Sequence, residues 1–183
     1  MKAEATAIAD VLILEPQVFG DDRGFFLESW RRDRFRELTG CEADFVQDNH
    51  SSSARDVLRG LHLQAPPHAQ GKLVRVVRGA IWDVAVDVRP DSPTFRRWVG
   101  VELSAANRRQ LWVPPGLAHG FLTLEEGSEV LYKTTDVYAP ECERTIAWDD
   151  PELAVAWPLE GRVPVLSGKD QAGLALADFV ATT

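Results

Sequence analysis

Two of the four histidines interrupt strand-like apolar runs: His62 in VLRGLHLQ and His119 in PPGLAHGF. Imidazole changes charge near neutrality, so it serves as a base, a metal ligand or a hydrogen-bonded core group. Lys72 opens AQGKLVRV, and a lysine at the head of an apolar strand is seldom buried without a task. Tyr132 in EVLYKTT shares a face with Val130 and Thr134 by strand alternation, which lets its phenol point inward. Imidazole, ammonium and phenol in one cavity would make a base, an anion stabiliser and an acid. The spacing alone does not force them together.

Metal is the first alternative. PPGLAHGF carries the P-x-G-x-x-H pattern of the second cupin motif. A metal cupin also needs two histidines in H-x-H spacing and a carboxylate in its first motif. Here that stretch reads His62-Leu63-Gln64, and His68 follows only beyond Pro66 and Pro67. The second ligand is missing, so the expectation is a cupin shape with no metal and no other cofactor. Arg59 poses a separate problem. Strict alternation puts it with Leu61 and Leu63, on the face opposite His62. Either Arg59 serves another surface, such as a subunit interface, or Gly60 permits a bulge that brings both round.

The elements that would position these groups are mostly strands. KLVRVVRGAIWDVAVDV reads as two strands around Arg78-Gly79, with Ile81, Asp83, Ala85 and Asp87 alternating against Trp82, Val84, Val86 and Val88. WVGVELS, RQLWVP, HGFLTLEE and EVLYKTTDVY follow as short strands between turn residues. Many short strands at this spacing predict a mainly β sandwich or barrel, with the jelly roll as the natural candidate. SWRRDRFRELTG, residues 29–40, predicts a helix stopped by Gly40, its arginines forming a solvated face. A last helix is expected over GKDQAGLALADFVA, packing through Leu174, Leu176 and Phe179.

With 183 residues, no repeat and no low-complexity linker, one domain over 1–183 is expected. Twenty basic against 28 acidic residues give a net charge of −8, which disfavours nucleic acid or an anionic membrane as a general partner. Cys41 and Cys142 form neither a metal spacing nor a disulfide framework, which fits a reducing compartment. Acidic residues interrupt MKAEATAIADVLILEP and its VLIL run is too short for a signal peptide core, so the expected location is cytoplasmic.

Seven blocks now bear on function: FGDDRGFFLESW, FVQDNHS, VLRGLHLQ, AQGKLVRVVRG, SPTFRRWVGVELSAANRRQLWVPPGLAHGF, YKTTDVYAPECER and LSGKD. Together they closely resemble the dTDP-4-dehydrorhamnose 3,5-epimerases, in family order, from about residue 19 to 172. The resemblance implies a metal-free cupin-type jelly roll, a homodimer with exchanged N-terminal strands, and a dTDP-linked 4-keto-6-deoxyhexose as substrate. It makes His62 the general base with Asp170 as its partner, Lys72 the stabiliser of the C4 enolate, and Tyr132 the acid on the opposite face. It gives substrate-binding roles to Arg23, Phe26, Glu28, Gln47, Asn49, Arg59, His119, Tyr138, Glu143 and Lys169. Arg23 and Arg59 would hold the diphosphate, as guanidinium groups do well. Phe26 and Tyr138 would flank the base or the sugar.

The chain departs from the family pattern at Ser52, Asp56, Leu63 and Cys142. These positions bear on nucleotide preference and on how many centres are inverted. Three rival readings follow: a mono-epimerase of a natural-product pathway, a catalytically silent sugar-nucleotide binder, and a metal-dependent cupin oxygenase.

Overall fold

A computed structural model describes residues 1–181. Two antiparallel sheets face each other. The six-stranded sheet runs in the order β1 (Lys2–Ala5), β2 (Leu12–Glu15), β10 (Gln110–Val113), β7 (Lys72–Arg78), β12 (Ser128–Thr134) and β5 (Gln47–Ser53). The five-stranded sheet runs β13 (Glu143–Thr145), β6 (Leu58–Gln64), β11 (Leu117–Thr123), β8 (Ala80–Asp87) and β9 (Trp98–Ser104). A separate hairpin joins β3 (Val18–Asp21) to β4 (Gly24–Leu27).

The predicted alternation decides which side chains fill which layer. Ile81 and Ala85 of β8 meet Val74 and Val76 of β7, Leu111 of β10 and Phe121 of β11 between the sheets. The opposite face of β8, through Val84 and Val86 and continued by Val88 just beyond it, packs under the C-terminal segment with Ile146, Leu153, Leu176 and Phe179. Helix α1 (Arg32–Thr39) covers the outer face of the six-stranded sheet, where Phe35 is buried against Leu14, Leu73 and Trp112. Its arginines do form the expected solvated face: Arg32 pairs with Asp44, Arg34 with Glu37, and Arg36 with Glu42 and Asp44.

Several sequence expectations need correction. α1 begins at Arg32 rather than residue 29, and Trp30 packs as part of the lead-in. β11 starts at Leu117, before His119, and β12 ends at Thr134, leaving DVY in a loop ahead of the short 3-10 turn Pro140–Cys142. The last helix is broken into α2 (Gly168–Gln171) and α3 (Leu176–Val180). Between them Leu174 bridges to Ile146, and a Cβ on Gly173 would lie 2.7 Å from the backbone nitrogen of Ala147. That close approach replaces a continuous helix with a strand-like contact, and Leu174 is left exposed rather than packed. The first four strands carry no alternation strong enough to announce them; β1 is exposed along its whole length.

Cys41 and Cys142 are both free thiols. Among the described residues, no helix is long and apolar enough to cross a membrane.

Candidate active site

A cavity of about 390 Å³ opens between the two sheets. His62 and Arg59 reach it from β6 and His119 from β11, all on the five-stranded sheet. Lys72 from β7, Tyr132 from β12, and Gln47 and Asn49 from β5 reach it from the six-stranded sheet. Tyr138, Glu143, Ser167, Lys169 and Asp170 also line it. The sheets face one another, so His62 and Tyr132 enter the space between them from opposite sides.

Of the two arrangements open to Arg59, β6 adopts the bulge at Gly60. His119 pairs with His62, but Phe121 pairs with Arg59, so three steps on β6 match two on β11. The extra residue turns Arg59 and His62 to one face. Gly60 has φ +133°, and a Cβ there would lie 2.5 Å from the Cα of Gly120. Only glycine fits this contact.

His62 Nε2 and Asp170 Oδ1 are 2.7 Å apart, and Asp170 is buried. Its other oxygen accepts the Ser167 hydroxyl at 2.6 Å, while the Gly60 N–H donates to Oδ1 at 3.1 Å. Burial works to raise the Asp170 pKa, but these hydrogen bonds outweigh it and hold the carboxyl well below the usual carboxylate range. For His62 the balance goes the other way: burial depresses its pKa more than Asp170 restores it. The ring is therefore neutral at neutral pH. With Nε2 engaged by Asp170, Nδ1 is the nitrogen left to take a proton.

Burial pushes the Lys72 ammonium down to about 8, against the pull of the Glu143 and Asp83 carboxylates. Lys72 Nζ donates to the backbone oxygen of His62 at 3.2 Å, which ties the ammonium to strand β6. Burial raises the Tyr132 phenol above its ordinary value, partly offset by Arg59 and Lys169. It is thus a protonated acid at neutral pH.

A second imidazole–carboxylate pair lies alongside. His119 Nε2 and Asp83 Oδ1 are 2.8 Å apart, and Asp83 is wholly buried. At the rim, Glu143 joins Lys169 at 2.7 Å to the Tyr138 hydroxyl at 3.1 Å. Gln64 occupies the position where a metal cupin would carry its second histidine. Its amide instead bridges the β6–β7 connection and the loop that carries Tyr138: Nε2 donates to the oxygens of His68 and Val137, and Oε1 accepts from Ala139 N–H. Among the described residues, no group of three or more His, Cys, Asp or Glu side chains converges as a metal would require.

The cavity thus gathers His62, Lys72, Tyr132, Asp170, Gln47, Asn49, Arg59, His119, Tyr138, Glu143 and Lys169. It does not gather Arg23, Phe26 or Glu28. Arg23 and Phe26 belong to the β3–β4 hairpin, where Arg23 pairs with Asp21 and Phe26 is 69% exposed. Glu28 pairs with Arg31 on the surface. Sequence reasoning missed Ser167 and Asp83, each of which grips a site residue. Asp83 had a signal, a carboxylate on the inward-facing side of a core strand. For Ser167 the signal was the S-x-x-D spacing to Asp170.

The sequence profile described as dTDP-4-dehydrorhamnose 3,5-epimerase matches residues 5–178. The chain belongs to this epimerase family. A Pseudomonas aeruginosa dTDP-4-dehydrorhamnose 3,5-epimerase is 60% identical over 178 residues, covering 97% of each chain. The Legionella pneumophila dTDP-6-deoxy-D-glucose-3,5-epimerase, crystallised with dTDP-4-keto-L-rhamnose, superposes with a TM-score of 0.93 at 50% identity, covering 96% of this chain and 93% of that one. A Streptomyces bikiniensis 3'-monoepimerase in complex with dTDP-quinovose superposes at 0.89 with 35% identity, over 97% of this chain and 88% of its own. The shared architecture of the epimerase family is the cupin-type jelly roll.

Proposed function

We propose that this chain inverts C3 and C5 of dTDP-4-dehydro-6-deoxy-D-glucose to give dTDP-4-dehydro-L-rhamnose. Membership of the epimerase family carries the reaction. The observation that best supports the residue roles is the placement of His62 and Tyr132 on facing sheets, with Lys72 lining the same cavity.

The C4 ketone makes the hydrogens at C3 and C5 acidic, because loss of either leaves an enolate. His62 Nδ1 takes the proton, and Asp170 holds the ring and steadies the imidazolium. The C–H electron pair moves onto the C4 oxygen, where the Lys72 ammonium stabilises the negative charge. Tyr132 gives a proton to the carbon from the other side, so configuration inverts. Solvent exchange restores both groups, and the cycle repeats at the second carbon. There is no net redox change, so no electron acceptor is consumed.

Arg59 binds the diphosphate, His119 and Asn49 bind the sugar, and Tyr138 stacks on the base while Glu143 and Lys169 fix the rim. Arg23, Phe26 and Glu28 act from a second copy of the chain in a homodimer with exchanged N-terminal strands. Two features support that assembly. The hairpin leaves Phe19, Phe25 and Phe26 exposed, and β5 is an open sheet edge beside the cavity. Residues 1–183 act as one domain, and the free thiols suit a cytoplasmic setting.

The test is turnover of the 4-keto-6-deoxyglucose nucleotide in heavy water, read by NMR. Deuterium at both C3 and C5 with inversion at both is expected. Label and inversion at a single carbon would make the chain a mono-epimerase.

A further inference from the structure

We infer that Ser167 is a positioning residue that sets the basicity of His62 through Asp170. This rests on the assignment of His62 as base and Asp170 as its partner.

Ser167 precedes α2, and its side chain makes two bonds to the same residue. Its hydroxyl oxygen accepts from the Asp170 N–H at 3.2 Å, an ordinary helix-capping bond. Its hydroxyl proton goes to Asp170 Oδ2 at 2.6 Å. In a common capping box the third residue's side chain turns back to the cap's own N–H. Here the carboxylate faces the cavity instead, and Oδ1 takes His62 Nε2 and the Gly60 N–H.

The carboxylate is therefore held by donors on both oxygens, and Ser167 supplies the one on Oδ2. Asp170 is buried, so an unmatched oxygen there would be costly and would also be free to rotate. Fixing Oδ2 fixes the direction of Oδ1, and Oδ1 fixes the imidazole plane. The same bond draws charge from the carboxylate. Without it Asp170 is a stronger base, holds imidazolium more tightly, and raises the His62 pKa. Ser167 itself is exposed on the cavity wall, so its loss removes a hydrogen bond rather than core packing.

The experiment measures kcat and KM across pH for Ser167→Ala and Ser167→Thr, beside His62→Ala and Asp170→Asn. For Ser167→Ala, kcat is expected to fall about tenfold, as supporting-shell substitutions do, with KM within about twofold. The acid limb of the profile should move to higher pH, and Ser167→Thr, which keeps the hydroxyl, should restore both. A purely structural cap would lower activity with the folded fraction and leave the acid limb in place, and that result overturns the inference. So does an unchanged kcat. If Ser167→Ala does not fold, Ser167→Cys reports the same limb with a weaker donor, and an unmoved limb there again overturns it. Retained activity in His62→Ala or Asp170→Asn would instead remove the underlying assignment.

Discussion

Arg59 and His62 face the same cavity although strict alternation would set them on opposite sides of β6. One inserted residue at Gly60 brings the Arg59 guanidinium and the His62 imidazole to the same side of one strand. Gly60→Ala tests this dependence. The added Cβ meets the Gly120 backbone at 2.5 Å while φ stays at +133°. A loss of about 2–4 kcal/mol of stability is expected, given the clash and the strained φ. Any folded fraction should show a collapsed kcat/KM, because relief of the clash shifts Arg59 and His62. Denaturant unfolding with parallel kinetics checks it.

In the proposed reaction, the pH dependence follows from opposing requirements on two groups. His62 must be neutral to accept a proton, and its pKa lies below the ordinary imidazole value because burial outweighs Asp170. Lys72 must be charged to hold the enolate, and it loses its proton at about 8. The kcat/KM profile should therefore be bell-shaped, falling on the acid side below the usual imidazole range and on the alkaline side near 8. Lys72→Arg, which stays charged, should extend the alkaline side. A wild-type profile that stays flat well past the Lys72 pKa would assign the enolate to another group.

Gln64 is expected to matter for binding rather than chemistry. Its side chain bonds the backbone of His68, Val137 and Ala139, and so holds Tyr138 over the rim. Gln64→Ala should raise KM about tenfold and leave kcat within about threefold, the pattern of lost uniform binding. A Gln64→His variant recreates the H-x-H spacing but loses the clamp, so it should show the same KM effect.

Mixed dimers test the partner's role. His62→Ala and Arg23→Ala chains are each expected to be impaired alone. In a heterodimer, one site pairs an intact His62 with the intact Arg23 of the other copy. Mixing should restore about a quarter of wild-type sites if the hairpin reaches across a twofold interface. No recovery would return Arg23 to a role in its own hairpin, where it now pairs with Asp21.

The sequence-based reading was accurate where burial imposes a period. Along β8, inward and outward residues alternate as expected, since one face meets the opposite sheet and the other the C-terminal segment. It failed where a contact distant in sequence decides. The approach of Gly173 to Ala147 breaks the last helix, and no local propensity announces it. The exposed strands β1 and β3 carry no period because neither face is buried. At the site, the residue types of His62, Lys72 and Tyr132 were suggestive, but the resemblance supplied Asp170. Ser167 and Asp83 carry only weak local signals, and what makes each of them matter is a side-chain bond to Asp170 and His119 that only the fold displays. For Arg59, alternation allows two arrangements, and the register with β11 decides for the bulge.

The central claim is that base and acid attack one carbon from opposite sheets. Tyr132→Phe in heavy water, followed by NMR, tests it most directly. The variant should invert about 10²–10⁴-fold more slowly, the usual contribution of a positioned acid. It should still wash deuterium into the unreacted sugar from the His62 side, with configuration retained, whereas His62→Ala should do neither. Inversion by Tyr132→Phe at the wild-type rate would contradict the account.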